Sequence, residues 1–281
     1  MKPENHADVN SGKAVQEKAI RHRKPSSSFH DFVDLVEILR RECPWDRKQT
    51  HESLKDHLIE EAYEAVDAIE RSDKDELSKE LGDLLLQVVF HSQMASESRD
   101  FKIDDVIWRI SEKLIRRHPH IFKDAVAETT DQVSRNWEKI KMSEGRDSVL
   151  DGLPVHLPAL IRAHRMQEKA ANVGFDWGDW KLAFEKVREE LHEFEEALGN
   201  GNPTMIREEY GDLLFSLVNV SRLLGMQSEE ALREAGTKFD RRFRRMEIAL
   251  KNEGKEISNT TLEEMDRYWE EVKKMEKNMD S

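Results

Sequence analysis

Apolar residues in this chain recur every three or four positions, the spacing of one helix face. Phe32, Leu35, Val36 and Leu39 open the pattern, and "FKIDDVIWRISEKLIRRH" and "SEEALREAGTKFDRRFRRMEIAL" continue it. No stretch alternates convincingly as a half-buried strand would. The pattern predicts an all-α protein. Two of its helices are unusual: "KELGDLLL" (79–86) and "EEYGDLLF" (208–215) each set an acidic pair inside a strongly apolar run.

The two stretches belong to an internal repeat. "IEEAYEAVDAI" matches "REELHEFEEAL", setting Glu61 against Glu190 and Glu64 against Glu193, 129 positions apart. Glu80 and Glu209, then Asp83 and Asp212, keep that offset. "KLIRRHPHIF" matches "KFDRRFRRM" at 125, and "RNWEKIK" matches "RYWEEVK" at 132. "CPWDRKQT" ahead of the first copy is echoed by "GFDWGDW" ahead of the second. Loop insertions account for the drift in offset. We therefore expect two four-helix-bundle-like domains: an N-terminal one over 29–145, a turn-rich linker over 146–160, and a C-terminal one over 161–275. Residues 1–28 read as a disordered polar extension without the apolar core of a signal peptide.

On a helical wheel Glu209, Asp212, Ser216 and Asn219 form one stripe, with Leu213, Leu214, Phe215, Leu217 and Val218 around it. So many apolar neighbours predict that the stripe lines the bundle interior or a cavity. The preceding helix offers Lys186, Glu190, Glu193 and Ala197. Antiparallel packing would bring four carboxylates together, and carboxylates buried that way need cations. All-oxygen ligation suits Mg²⁺, with Mn²⁺ as an alternative. Glu61, Glu64, Glu80 and Asp83 repeat the set. Taken alone, an E-E-x-x-E run is an ordinary solvated helix face; its pairing with E-x-x-D, twice and in the same order, is what argues against that. The third helix of each copy adds a basic cluster, Lys113, Arg116 and Arg117 in one and Lys238, Arg241 and Arg242 in the other. Carboxylates for a metal beside cations for anions describe a metal–polyphosphate site, although surface ion pairing would also explain any single cation. Trp137 and Trp269 either stack on a base or pack a helix end.

Charge and composition narrow the partners. The 281 residues carry a net charge of −13, so a nucleic-acid polymer or an anionic membrane is not expected as partner. A single cysteine, Cys43, excludes an internal disulfide framework and fits a reducing cytoplasm. No apolar run approaches the roughly 18 residues of a membrane helix.

Over about residues 29–275 the chain resembles the MazG family of nucleoside triphosphate pyrophosphohydrolases. The likeness rests on "CPWDRKQTHESL", "EEAYE", "ELGDLLLQVVFH", "KLIRRHPH", "LPAL", "GFDW", "REELHE", "EEYGDLLFSLVN" and "KFDRRF". It implies tandem all-α NTP pyrophosphatase domains, Mg²⁺ dependence, a homodimer, and hydrolysis of NTPs or dNTPs, ATP among them, to the monophosphate and pyrophosphate in nucleotide-pool sanitation or control. It implies Glu190, Glu193, Glu209 and Asp212 as metal ligands. Lys186, Lys238, Arg241 and Arg242 would hold phosphates, and Trp269 would lie by the nucleotide. Glu189 and Glu190 are the catalytic candidates, with Glu189 either orienting or deprotonating water or remaining a surface residue. Asn219 is expected to bind substrate as a hydrogen bonder for a base edge. It and the phosphate cation Lys186 are replaced in the first copy by Phe90 and His57, and the resemblance likewise implies that the second copy is the main catalytic one. The first is left as weak, structural or tuned to another nucleotide.

Two other readings compete. A di-iron carboxylate bundle uses Glu-x-x-His on two helices; Glu189 and His192 fit once, whereas the matched positions are Glu60 and Tyr63. A non-catalytic helical scaffold explains the helices but not the paired carboxylates.

Overall fold

The computed structural model describes residues 23–123, 125 and 129–279, so the expected extension lies outside the described residues as far as residue 22. The described residues are helical with turns and no strand, the all-α class the periodicity predicts. The chain divides into two units, one ending at Ala125 and one beginning at Val126.

In the first unit, α1 (Phe29–Glu42) starts at Ser28, whose Oγ accepts the Asp31 amide at 3.3 Å. Helices α2 (Lys55–Glu70) and α3 (Lys74–Glu97) form a hairpin. The chain reverses through Ser72, at φ 55°, and Asp73, which caps α3 by accepting the Glu76 amide at 3.0 Å. Val36, Leu54, Val89, Phe90 and Met94 make the core, with Phe32, Val33, Leu86 and Ile103 against it. Arg40 of α1 ties the "CPWDRKQT" segment down. It donates to the carbonyls of Asp46 and Gln49 and pairs with Glu97 of α3 at 2.7 Å. Helices α4 (Ile103–Arg117) and α5 (Pro119–Phe122) follow.

The second unit contains α6 (Thr130–Ser143), α7 (Ala159–Asn172), α8 (Trp180–Asn200), α9 (Pro203–Leu223), α10 (Ser228–Asn252) and α11 (Leu262–Met279). Helices α8 and α9 form its central hairpin. Gly201, in the left-handed region at φ 68°, ends α8, and Asn202 caps α9 with Pro203 as the first helical residue. Ala183, Val187 and Val220 pack inside this hairpin with Leu213 and Leu223. A separate core of Met246, Leu250 and Tyr268 joins α10 to α11.

The packing boundary differs from the one the repeat suggests. Helix α6, matched by sequence to the end of the first copy, packs on α7. Buried Lys169 of α7 links α7 to α6 and to the segment between them. Its Nζ donates to the carbonyls of Val149, at 2.8 Å, and Asp151, at 3.3 Å, and lies 3.9 Å from Glu138 of α6. The segment 146–160, expected as a linker, thus supplies a carbonyl cradle for a buried cation.

Candidate active site

The α8–α9 hairpin brings three of the four expected acids together. Carboxylate oxygens of Glu190, Glu193 and Glu209 lie within 4.8 Å of one another. The α2–α3 hairpin repeats the arrangement with Glu61, Glu64 and Glu80, also within 4.8 Å. Of each expected set of four, three converge in this way. Asp212 and Asp83 lie outside these groups, close enough to act on them electrostatically.

Burial and charge set the electrostatics. Glu190 is 6 % exposed, while Glu193 is exposed and Glu209 half-buried. Loss of water, then the negative Glu193, Glu190 and Asp212, hold the Glu209 carboxyl above the usual carboxylate range. Glu61 and Glu80 are raised in the same way, first by burial and then by Asp83 on Glu61 and by Glu64 on Glu80. Lys186 Nζ lies 2.7 Å from both Glu189 and Glu190, and these two carboxylates push its pKa up. In the first unit, His57 faces Glu60 at 3.3 Å in that place.

Other sequence expectations are redistributed. The apolar surround of α9 is closed on one side only: Ser216, Val218, Asn219 and Val220 are buried, whereas Tyr210, Leu214, Phe215 and Leu217 are exposed. Within the second unit the described residues leave that face open. Arg241 and Arg242 are not left pointing at the carboxylates. Glu276 of α11, 7 % exposed, accepts from them at 3.0 and 2.8 Å and from Arg245 at 2.9 Å. Lys238 is exposed. Trp269 packs beside the Met246–Leu250–Tyr268 core and tilts against Phe239, ring centroids 5.2 Å apart. In the first unit Arg116 pairs with Glu112 of its own helix at 2.9 Å. His192, needed by the di-iron reading, lies 3.4 Å from Glu196, outside the glutamate group.

Two features have no place in the sequence pattern above. Glu276 is one, 34 positions beyond Arg242, and no periodicity links the two. The other is Arg222, which joins Asn219 to Asp176 of "GFDW". Its spacing of three from Asn219 on one helix is a usable signal.

A family model for the MazG nucleotide pyrophosphohydrolase domain matches residues 49–122 and 181–246. Over 250 residues the chain is 47% identical to the nucleoside triphosphate pyrophosphohydrolase/pyrophosphatase MazG of Thermotoga maritima, across 87% of this chain and 95% of that one. The chain belongs to the MazG nucleotide pyrophosphohydrolase family. The nucleoside triphosphate pyrophosphohydrolase of Escherichia coli K12 is 45% identical over 240 residues, spanning 83% of this chain and 91% of that protein. Bacillus subtilis YabN, an uncharacterized protein, is 45% identical over 258 residues that make up 53% of its own length. Both glutamate groups fall inside the matched MazG segments; Asp176 and Glu276 fall outside them.

The donor set fits a hard divalent cation: oxygens alone, crowded enough that the neighbouring carboxylates help to raise the pKa of Glu209. This predicts a pH-dependent response to metal. A carboxyl raised in the fold contributes most to stability below its unfolded pKa. That contribution is lost as pH rises through the raised value. Mg²⁺, which binds the ionised form, therefore raises Tm more at pH 7.5 than at pH 5. At a hundredfold excess over Kd the stabilisation is about 2.7 kcal/mol, roughly 5–10 °C for a unit of this size. Melting curves with Mg²⁺ and with EDTA at the two pH values measure it; an equal shift at both would contradict the assignment.

Proposed function

We propose that this chain hydrolyses nucleoside triphosphates to the monophosphate and pyrophosphate, with Mg²⁺ or Mn²⁺ held by Glu190, Glu193 and Glu209. The observation that carries the reading is the convergence of those three carboxylates within 4.8 Å on one hairpin, in a chain of the MazG family. When bound, the cation neutralises the triphosphate and lowers the pKa of water. A water oxygen joins a phosphorus of the α–β bridge, the bridging P–O bond breaks, and pyrophosphate leaves. Glu189, 2.7 Å from Lys186, would take the water's proton. Lys186 and the exposed Lys238 balance charge on the leaving group. Arg241 and Arg242 reach phosphate by exchanging Glu276 for it, and Trp269 flanks the nucleotide from the α10–α11 core. By the same reading Glu61, Glu64 and Glu80, with Asp83 near, hold a second cation.

A second copy of the chain completes the bundle by covering exposed Tyr210, Leu214, Phe215 and Leu217, which makes the working form a homodimer. No helix among the described residues is long and apolar enough to cross a membrane. The free Cys43 suits a reducing cytoplasm, where the enzyme would remove nucleotides from the NTP and dNTP pool.

Product analysis tests the bond choice. ATP with Mg²⁺ gives AMP and pyrophosphate as primary products, resolved by ion-exchange chromatography at early times. ADP and phosphate as primary products would overturn the reading.

A further inference from the structure

Arg222 holds two groups at once. Its Nε and Nη2 donate to Oδ1 of Asn219 at 3.0 and 2.8 Å. Its Nη1 and Nη2 donate to the two carboxylate oxygens of Asp176 at 3.2 and 2.5 Å. The ion pair is well covered, with side chains 12 % and 24 % exposed. It therefore fixes the "GFDW" loop to α9 and leaves the guanidinium little freedom.

This geometry settles which way the Asn219 amide points. A guanidinium only donates, so the amide atom facing it must be the oxygen. The assignment follows from the partner and does not depend on telling amide oxygen from nitrogen. The Asn219 nitrogen is then turned away from Arg222, and it makes no hydrogen bond to the described residues. Asn219 itself is 5 % exposed and continues the stripe of Glu209, Asp212 and Ser216. Two N–H donors are thus offered on the face that carries the metal ligands, and the amide's acceptor is already spent on Arg222. The first unit has nothing equivalent: Phe90 and Gln93 stand at the matched positions, and Arg40 lies over the Phe90 ring at 5.5 Å.

We propose that the Asp176–Arg222 pair makes Asn219 a donor-only reader of the nucleobase. The site then favours bases with a carbonyl at purine position 6 or pyrimidine position 4 (guanine, hypoxanthine, uracil, thymine) over the amino bases adenine and cytosine. A carbonyl accepts from the Asn219 nitrogen. An exocyclic amine opposes donor to donor and leaves both unpaired in a partly dry site, the situation that gives enzymes their steepest discrimination. The proposal rests on the pyrophosphohydrolase reading and adds the substrate class to it.

Two nucleotide pairs that differ at that exocyclic group provide the test. In kcat/KM for pyrophosphate release, ITP exceeds ATP and UTP exceeds CTP by about tenfold or more in the wild type. Asn219→Asp keeps an acceptor for Arg222 and turns a second acceptor toward the base, so both ratios fall below one. Arg222→Met frees the amide to rotate and brings both ratios toward one, and Asp176→Asn lowers them part of the way. Wild-type ratios near one would overturn the proposal, as would an Asn219→Asp variant that slows all four substrates equally. Calorimetric Kd values for IMP against AMP, and UMP against CMP, separate this reading from the hydrolase reading. Selective monophosphate binding without pyrophosphate release would keep the base reader and remove the hydrolase. Unselective binding together with unselective release would do the reverse.

Discussion

Glu193→Gln, and equally Glu209→Gln, lowers pyrophosphate release more than about a hundredfold while the helical circular dichroism stays that of the wild type. Each substitution removes one of the three charges that converge within 4.8 Å and leaves an isostere that neither binds a hard cation well nor repels its neighbours. Without metal the variants should melt at or above the wild type. Glu209 is held protonation-prone by burial and by Glu193 and Glu190, so replacing either Glu193 or Glu209 relieves repulsion that the metal-free fold carries at neutral pH. The Mg²⁺-dependent rise in Tm should shrink along with activity. Turnover at the wild-type rate in saturating Mg²⁺ would remove these glutamates from the metal site. Asp212→Asn probes the fourth expected ligand. Because Asp212 lies outside the group, a loss as large as that of Glu193→Gln would mean that substrate and metal draw it in.

The distinction among these acids marks where sequence reasoning stops. Glu190, Glu193 and Glu209 are legible because helix periodicity decides which residues share a face, and two adjacent helices with apolar arcs leave one way to pack. Asp212 shares its face with Glu209, but it sits a rise of roughly 4.5 Å further along the helix, and spacing alone does not say which oxygens meet. Arg241 and Arg242 are legible as cations on one helix. Their partner Glu276 comes from another helix, through a loop that fixes the register of α10 and α11, and no local pattern encodes that. Leu214 and Phe215 are apolar and so read as enclosed; whether an apolar face is covered depends on what the chain finds to place there. The boundary between packing units lies apart from the repeat boundary for a similar reason. The repeat records ancestry, whereas the cradle of Lys169, built from Glu138 and the carbonyls of Val149 and Asp151, records packing.

Glu209→Gln removes most ATP hydrolysis and Glu80→Gln removes little. Both units bring three glutamates together, so the difference lies in what stands beside them. Lys186 contacts Glu189 and Glu190 at 2.7 Å and stays fully charged. His57, in the matched place, faces Glu60 at 3.3 Å and carries charge only when protonated. A charge-assisted contact to phosphate contributes about 1.5–3 kcal/mol, so its loss costs roughly 10–150-fold. Asn219 offers hydrogen bonds to a base, whereas Phe90 offers none. The working site is therefore expected in the second unit, and a fragment should include α6, whose Glu138 lies 3.9 Å from Lys169. The two point variants are compared first in the full-length chain; residues 126–281 alone should then retain ATP hydrolysis if the fragment dimerises. Should Glu80→Gln be the inactive variant and Glu209→Gln the active one, the catalytic assignment would pass to the first unit, and His57 would have to hold phosphate in the place of Lys186.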